Sequence, residues 1–127
     1  MAHRSRLAGF IIDCQSGDVD AAATFWSGAL GFAIGDKQVE GDAEYVELQA
    51  GASGLQIEVQ KVQHPSRVHL DIETDDLDAE AARLEALGAK KIGFVKRWWV
   101  MEAPTGQRFC VVKMKHPEQG ARPNEWP

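Results

Sequence analysis

Arg67-Val68-His69-Leu70-Asp71-Ile72-Glu73, running into Asp75-Asp76-Leu77-Asp78, is the stretch that decides the fold. Its first part alternates. Val68, Leu70 and Ile72 fall on one face of an extended chain, and Arg67, His69, Asp71 and Glu73 on the other. This predicts a strand with an apolar face for a helix and a polar face left over. The period then changes. Asp76 is suited to cap a helix, because its carboxylate can accept from the unpaired amides of the first turn. Leu77, Ala81, Leu84 and Leu87 follow at helical spacing, and Gly88 can take the left-handed turn that ends a helix. A strand-helix unit therefore presents an imidazole and two carboxylates on one polar face.

The same unit stands earlier in the chain. Phe10, Ile12 and Cys14 form one strand face, with Gly9, Ile11 and Asp13 on the other. Asp18 caps a helix whose inner stripe is Val19, Ala23, Trp26 and Leu30, and Gly31 ends it. Asp18-Val19-Asp20-Ala21 matches Asp76-Leu77-Asp78-Ala79 at a separation of 58 residues. Ala29-Leu30-Gly31 matches Ala86-Leu87-Gly88 at 57. A repeat of nearly half the chain is a duplicated supersecondary module, not a solenoid.

Three strands follow each helix. In the first half these are Phe32-Ala33-Ile34, broken by Gly35-Asp36 and a polar stretch to Ala43, then Tyr45 to Gln49, then Leu55 to Gln60. In the second they are Lys91 to Val95, Trp98 to Glu102 and Arg108 to Lys113, with Ala103-Pro104-Thr105-Gly106-Gln107 as a turn. The prediction is an α+β fold of two tandem βαβββ modules, about 5–62 and 63–115, within one domain spanning 1–127. An irregular tail, 116–127, follows, with Trp126 as its anchor. A sheet with one helix leaves its other face bare. Two curved sheets of this kind can enclose a cavity between them.

The rest of the composition narrows the function. The chain has 127 residues and a net charge of −5, and its basic residues are scattered apart from Lys90-Lys91 and Lys96-Arg97; nucleic acid, which needs cationic groups to replace phosphate counterions, is not an expected partner. No apolar run approaches the roughly 20 residues that span a bilayer, so no membrane partner is expected either. Cys14 and Cys110 each sit inside an apolar strand pattern and read as thiols of a reducing, cytoplasmic compartment.

The paired modules, the Phe25-Trp26…Leu30-Gly31-Phe32 segment, the His69-Leu70-Asp71-Ile72…Asp75-Asp76-Leu77-Asp78 segment and the Ala103-Pro104-Thr105-Gly106-Gln107…Cys110 turn together resemble the vicinal oxygen chelate superfamily. Its members include glyoxalase I, extradiol dioxygenases, fosfomycin-resistance enzymes and bleomycin-resistance proteins. The likeness is greatest to compact glyoxalase-like domains and covers about residues 5–115. It implies a small organic ligand in the inter-module cavity and a lyase or isomerase of the glyoxalase type. The alternative it implies is a non-catalytic small-molecule or antibiotic binder, and the net charge is compatible with a cationic ligand. A homodimer is expected by the same analogy.

The metal-dependent members take four ligands, His or Gln and Glu, from the first and last strands of each module. Here His69 matches one position and Glu58, or Gln56 in a shifted register, offers another. Ile11 cannot ligate, although Asp13 lies two residues on along the same face. Cys110 stands where a Glu is expected. No cofactor is therefore assigned; a divalent metal, if present, would take His69 and Glu58, with the Cys110 thiolate able to complete a zinc set. His69, Asp71 and Glu58 are the candidate catalytic residues, since a carboxylate can hold an imidazole's tautomer for acid-base work on a carbonyl compound. Asp13, Gln56, Trp98, Trp99 and Cys110 are the candidate ligand-binding residues. Of Trp98 and Trp99, adjacent on a strand, one faces the polar side and one the helix. His69 reads equally well as a structural histidine.

Overall fold

In the computed structural model, which describes residues 2–127, the first strand, β1 (His3–Cys14), is 12 residues long. Its length matters, because the chain divides into two compact units and β1 serves both. Residues from Gly9 to Val68 form one unit. Residues up to Ala8, with His69–Pro127, form the other.

The Gly9–Val68 unit contains α1 (Val19–Leu30), β2 (Ala33–Glu40), β3 (Ala43–Gln49) and β4 (Gln56–Lys61). The strand order is β2-β3-β4-β1. β1 runs parallel to β4, with Gly9 opposite Gln56, Ile11 opposite Glu58 and Asp13 opposite Gln60. The other pairs are antiparallel. Asp18 caps α1 by accepting from the amides of Asp20 and Ala21 at 3.0 and 3.1 Å, and Gly31 ends the helix at φ 75°. Val19 and Ala23 of the helix pack on Ile12, Val46, Leu48, Ile57 and Val59. Gly9 is required by the sheet itself. A Cβ built there would lie 1.7 Å from the Gln56 carbonyl oxygen. The expected break at Gly35-Asp36 is a shift of register between Ile34 and Lys37 inside one continuous strand. An edge strand can absorb such an irregularity without losing its partner.

The second unit contains β5 (Arg67–Thr74) from His69 onward, α2 (Leu77–Ala86), β6 (Lys90–Val95), β7 (Trp98–Glu102), β8 (Arg108–Lys113) and β9 (Asn124–Trp126). Its strands run β5-β8-β7-β6, with β5 and β8 parallel. Ala81 and Leu84 of α2 pack on Met101 and Val111, flanked by Ile72, Leu77, Trp99 and Phe109. Asp76 caps α2 through the Ala79 amide at 3.0 Å. The elements are those of two βαβββ modules, and the fold class is α+β.

The tail is not wholly irregular. β9 pairs antiparallel with the start of β1, His3 opposite Trp126. Trp126 Nε1 donates to Ser5 Oγ at 2.8 Å, and the Arg83 guanidinium lies 4.0 Å from the centre of its ring. Arg6 ties down the approach. Its Nε donates to Glu73 at 2.6 Å, and its Nη atoms donate to the carbonyls of His116, Pro117 and Ala121.

Candidate functional site

Ile72 and Val111 face α2, so the alternation of β5 and β8 turns His69, Asp71 and Cys110 to the opposite face of the sheet. Asp71 and Cys110 are register partners, and His69 stands two residues before Asp71 on the same face. Asp71 Oδ1 lies 3.5 Å from His69 Nε2, and both side chains are largely covered, at 17% and 12% exposure. One ligating atom from each of His69, Asp71 and Cys110 falls within 4.8 Å of the others. Among the described residues Asp71 Oδ1 is buried and has no hydrogen-bond partner. The cluster stands on paired strands, not on loops, so the backbone fixes its spacing.

The face continues on both sides. Val100 pairs with Cys110, and Trp98, two residues earlier, shares its side of β7. Trp99 takes the helix side: it packs on the α2 core, and its Nε1 donates to Asp78 at 3.2 Å. The alternation of adjacent strand residues made one of these indoles face the cluster, and it is Trp98. Beyond Asp71 comes Glu73, buried and paired with Arg6.

Asp13, Gln56 and Glu58 belong to the other unit, where they share the sheet face turned away from α1. Asp13 is buried, with its Oδ2 3.5 Å from Arg67 Nε. Gln56 is exposed opposite Gly9, and Glu58 is half-buried between Ile11 and Glu47. Cys14 lies on the opposite, helix-facing side of that unit. Burial pushes its thiol above the usual range, only partly offset by a contact with Trp26.

Two polar features escaped the sequence reading. Arg6, in an otherwise ordinary strand, became the fork that holds Glu73 and the tail. Glu80 is a fully buried carboxylate that accepts from His3 and Arg83. A signal for it existed. It stands three residues after Leu77 and four before Leu84, on the apolar stripe of α2, where a lone charge needs buried partners.

Ile11 carries no donor, and Asp13, two residues on along the same face, is paired with Arg67. The cluster on β5 and β8 offers one nitrogen, one oxygen and one sulfur. The unsatisfied Asp71 oxygen inside it fits a bound cation, and the mixed donors suit zinc-like ions better than hard ones. No helix among the described residues is long and apolar enough to cross a membrane.

Comparison with known proteins agrees with this architecture. A family model described as a glyoxalase-like domain matches residues 9–112. No curated protein sequence matches the chain. The structure of methylmalonyl-CoA epimerase from Mycobacterium tuberculosis aligns with a TM-score of 0.66 and 18% identity, over 86% of this chain and 87% of that one. A methylmalonyl-CoA epimerase in complex with methylmalonyl-CoA and NH4+ aligns at 0.63 and 17%, covering 93% and 99%. The Streptomyces coelicolor methylmalonyl-CoA epimerase in complex with 2-nitronate-propionyl-CoA aligns at 0.60 and 19%, covering 85% and 96%. At these identities the likeness is one of fold.

Proposed function

The chain belongs to the glyoxalase-like domain family, and from that premise we propose that it binds a small carbonyl compound at the His69–Asp71–Cys110 face and moves a proton on it, as an isomerase or lyase. One observation carries the reading: an imidazole and a carboxylate 3.5 Å apart on a rigid strand face, beside a thiol. The three fold neighbours support it, since they are methylmalonyl-CoA epimerases and two are complexes with CoA thioesters. A hydrogen next to a thioester or keto carbonyl is acidic enough for side-chain base catalysis.

In this reading Asp71, 3.5 Å from His69 Nε2, is the negative charge that favours the imidazolium formed when Nδ1 takes the substrate's proton. Trp98 offers an indole to any planar part of the ligand. Glu58 is the candidate base of the other unit, and Asp13 and Gln56 are its ligand contacts. A divalent cation held by His69, Asp71 and Cys110 would polarise the carbonyl oxygen. The assembly expected by analogy is a homodimer, which light scattering checks directly.

The experiment is α-hydrogen exchange in deuterated water, run with acyl-CoA thioesters and 2-oxo aldehydes and read by mass spectrometry beside ligand-induced thermal shifts. His69→Ala should slow exchange by about 100-fold or more. Exchange unchanged in that variant removes the proton-transfer reading. The incomplete four-strand donor set favours a second reading, a binder that sequesters its ligand. Thermal shifts without exchange would select it.

A further inference from the structure

We infer that this sheet face selects one substrate class, carbonyl compounds whose carbonyl lies between an aromatic group and a carboxylate, with Trp98 and Arg108 as the specificity-determining residues. This deepens the proposed function and rests on its site. The His69–Asp71–Cys110 cluster gives no reason to prefer one carbonyl compound over another. The residues on either side of it do.

The register of β6, β7, β8 and β5 lays this face out in rows that cross the strands, two residues or about 6.8 Å apart. The middle row is Gly93, Val100, Cys110 and Asp71. It is low at its β6 end, the outer strand of this unit, where a Cβ built on Gly93 meets nothing within 4 Å. One flanking row is apolar. Val95 pairs with Trp98, and Val112 comes level with the indole on β8. Val95 is exposed and the other two are half-buried, so this row is open to a ligand. The other flanking row is charged. Glu102 pairs with Arg108, and its Oε1 accepts from Arg108 Nε at 3.2 Å. That bond fixes the plane of the guanidinium and leaves its Nη1–Nη2 edge to meet a second carboxylate. The Arg108 side chain is 40% exposed, so a ligand can reach that edge.

The order of the rows dictates the order of groups in the ligand. An aromatic ring stacks on Trp98. A carboxylate takes the guanidinium edge of Arg108 through two parallel hydrogen bonds. The carbonyl then falls over the middle row, at Cys110 and Asp71. His69, two residues before Asp71, comes level with Arg108 by continuation of the β5–β8 register. It therefore meets the carbon between the carbonyl and the carboxylate, which carries the exchangeable hydrogen. A ligand with only the ring, or only the carboxylate, makes one end contact and has no fixed register over His69. An ammonium in place of the carboxylate would meet Arg108 as a like charge.

The test is titration calorimetry on the full chain with 4-oxo-4-phenylbutanoate, which carries ring, carbonyl and carboxylate in that order. The control 1-phenylbutan-1-one lacks the carboxylate, and 4-oxopentanoate lacks the ring. The intact compound should bind about tenfold or more tightly than either control. Arg108→Gln should weaken the intact compound about tenfold and leave 1-phenylbutan-1-one unchanged. Trp98→Ala should weaken both ring-bearing compounds and leave 4-oxopentanoate unchanged. Circular dichroism confirms that each variant is folded, and Trp98→Leu and Arg108→Met serve where it is not. Equal affinity for the three compounds overturns the class. So does an Arg108→Gln loss that is the same without the carboxylate, or a Trp98→Ala loss that is the same without the ring. Exchange of the hydrogen next to the carbonyl in deuterated water separates this class from the reaction itself. The expected binding preferences without His69-dependent exchange would remove the proton-transfer reading and keep the ligand class. His69-dependent exchange of thioesters or 2-oxo aldehydes, with no preference for the aromatic keto acid, would keep the reaction and overturn the class.

Discussion

Glu80 shows how one residue can carry a charge through an apolar stripe. It has no exposed surface, yet its carboxylate accepts from Arg83 Nε and Nη2 and from His3 Nε2, each at 2.8 Å. Burial alone would raise its pKa. The donors Arg83, His3 and Ser5 outweigh that effect and hold the carboxyl below its ordinary value. A group lowered in this way stabilises the fold fully above its unfolded pKa, and that stability is lost as pH falls through the folded value. Glu80→Gln should therefore cost about 3 kcal/mol at neutral pH, because Arg83 and His3 lose a charged acceptor. The deficit should shrink below about pH 4.5 as the wild-type carboxyl takes up its proton. Urea midpoints of both proteins across pH test this, and a gap constant down to pH 3 would refute it. His69 makes the contrasting case. If it serves a ligand, His69→Ala should reduce ligand response far more than melting temperature. A sharp fall in melting temperature with the ligand response intact would mark a structural histidine instead.

Elements depend on contacts that no single side chain advertises. β1 and β4 approach so closely at Gly9 and Gln56 that no Cβ fits. Gly9→Ala should cost about 3 kcal/mol, because the strands must part and take the register of Ile11 and Asp13 with them. Chemical denaturation measures it, and a loss under about 0.5 kcal/mol would mean the strands separate freely. Much of this layer was legible beforehand. Asp18 and Asp76 announced both helix starts, and the alternation of Tyr45 to Gln49 and Leu55 to Gln60 announced strands, because caps and pleats are local chemistry. Where legibility failed, the missing information was long-range. Gly35-Asp36 reads as a break, but the pairing of β2 with β3 carries the strand across it. The short β9 carries no pattern of its own and exists through the first residues of β1. The site divides the same way. Alternation placed His69 and Asp71 on one face, but only the β5–β8 register brought Cys110 beside them and turned Trp98 rather than Trp99 to their side.

For the molecule as a whole, the tail is part of the fold. A chain ending at Lys115 would lose Trp126 from Ser5 and Arg83, and it would deprive Arg6 of three carbonyl acceptors beside the buried Glu73. Its melting temperature should fall by several degrees, since about 2–3 kcal/mol of buried contact disappears. Calorimetry showing an unchanged transition would make the tail an ornament. The same closure has a consequence in time. Ser5 and Trp126 are separated by 121 residues. A ribosome adding about 5–20 residues per second would release the partner of the first strand on the order of ten seconds after that strand emerges. Until then His3 to Ser5 lack the strand that pairs with them, while Gly9 to Cys14 can already join β4. The nascent chain should accordingly carry a protease-sensitive, chaperone-attracting leader on a half-finished protein. Stalled chains probed by brief proteolysis should lose that leader's sensitivity only after Trp126 has left the exit tunnel.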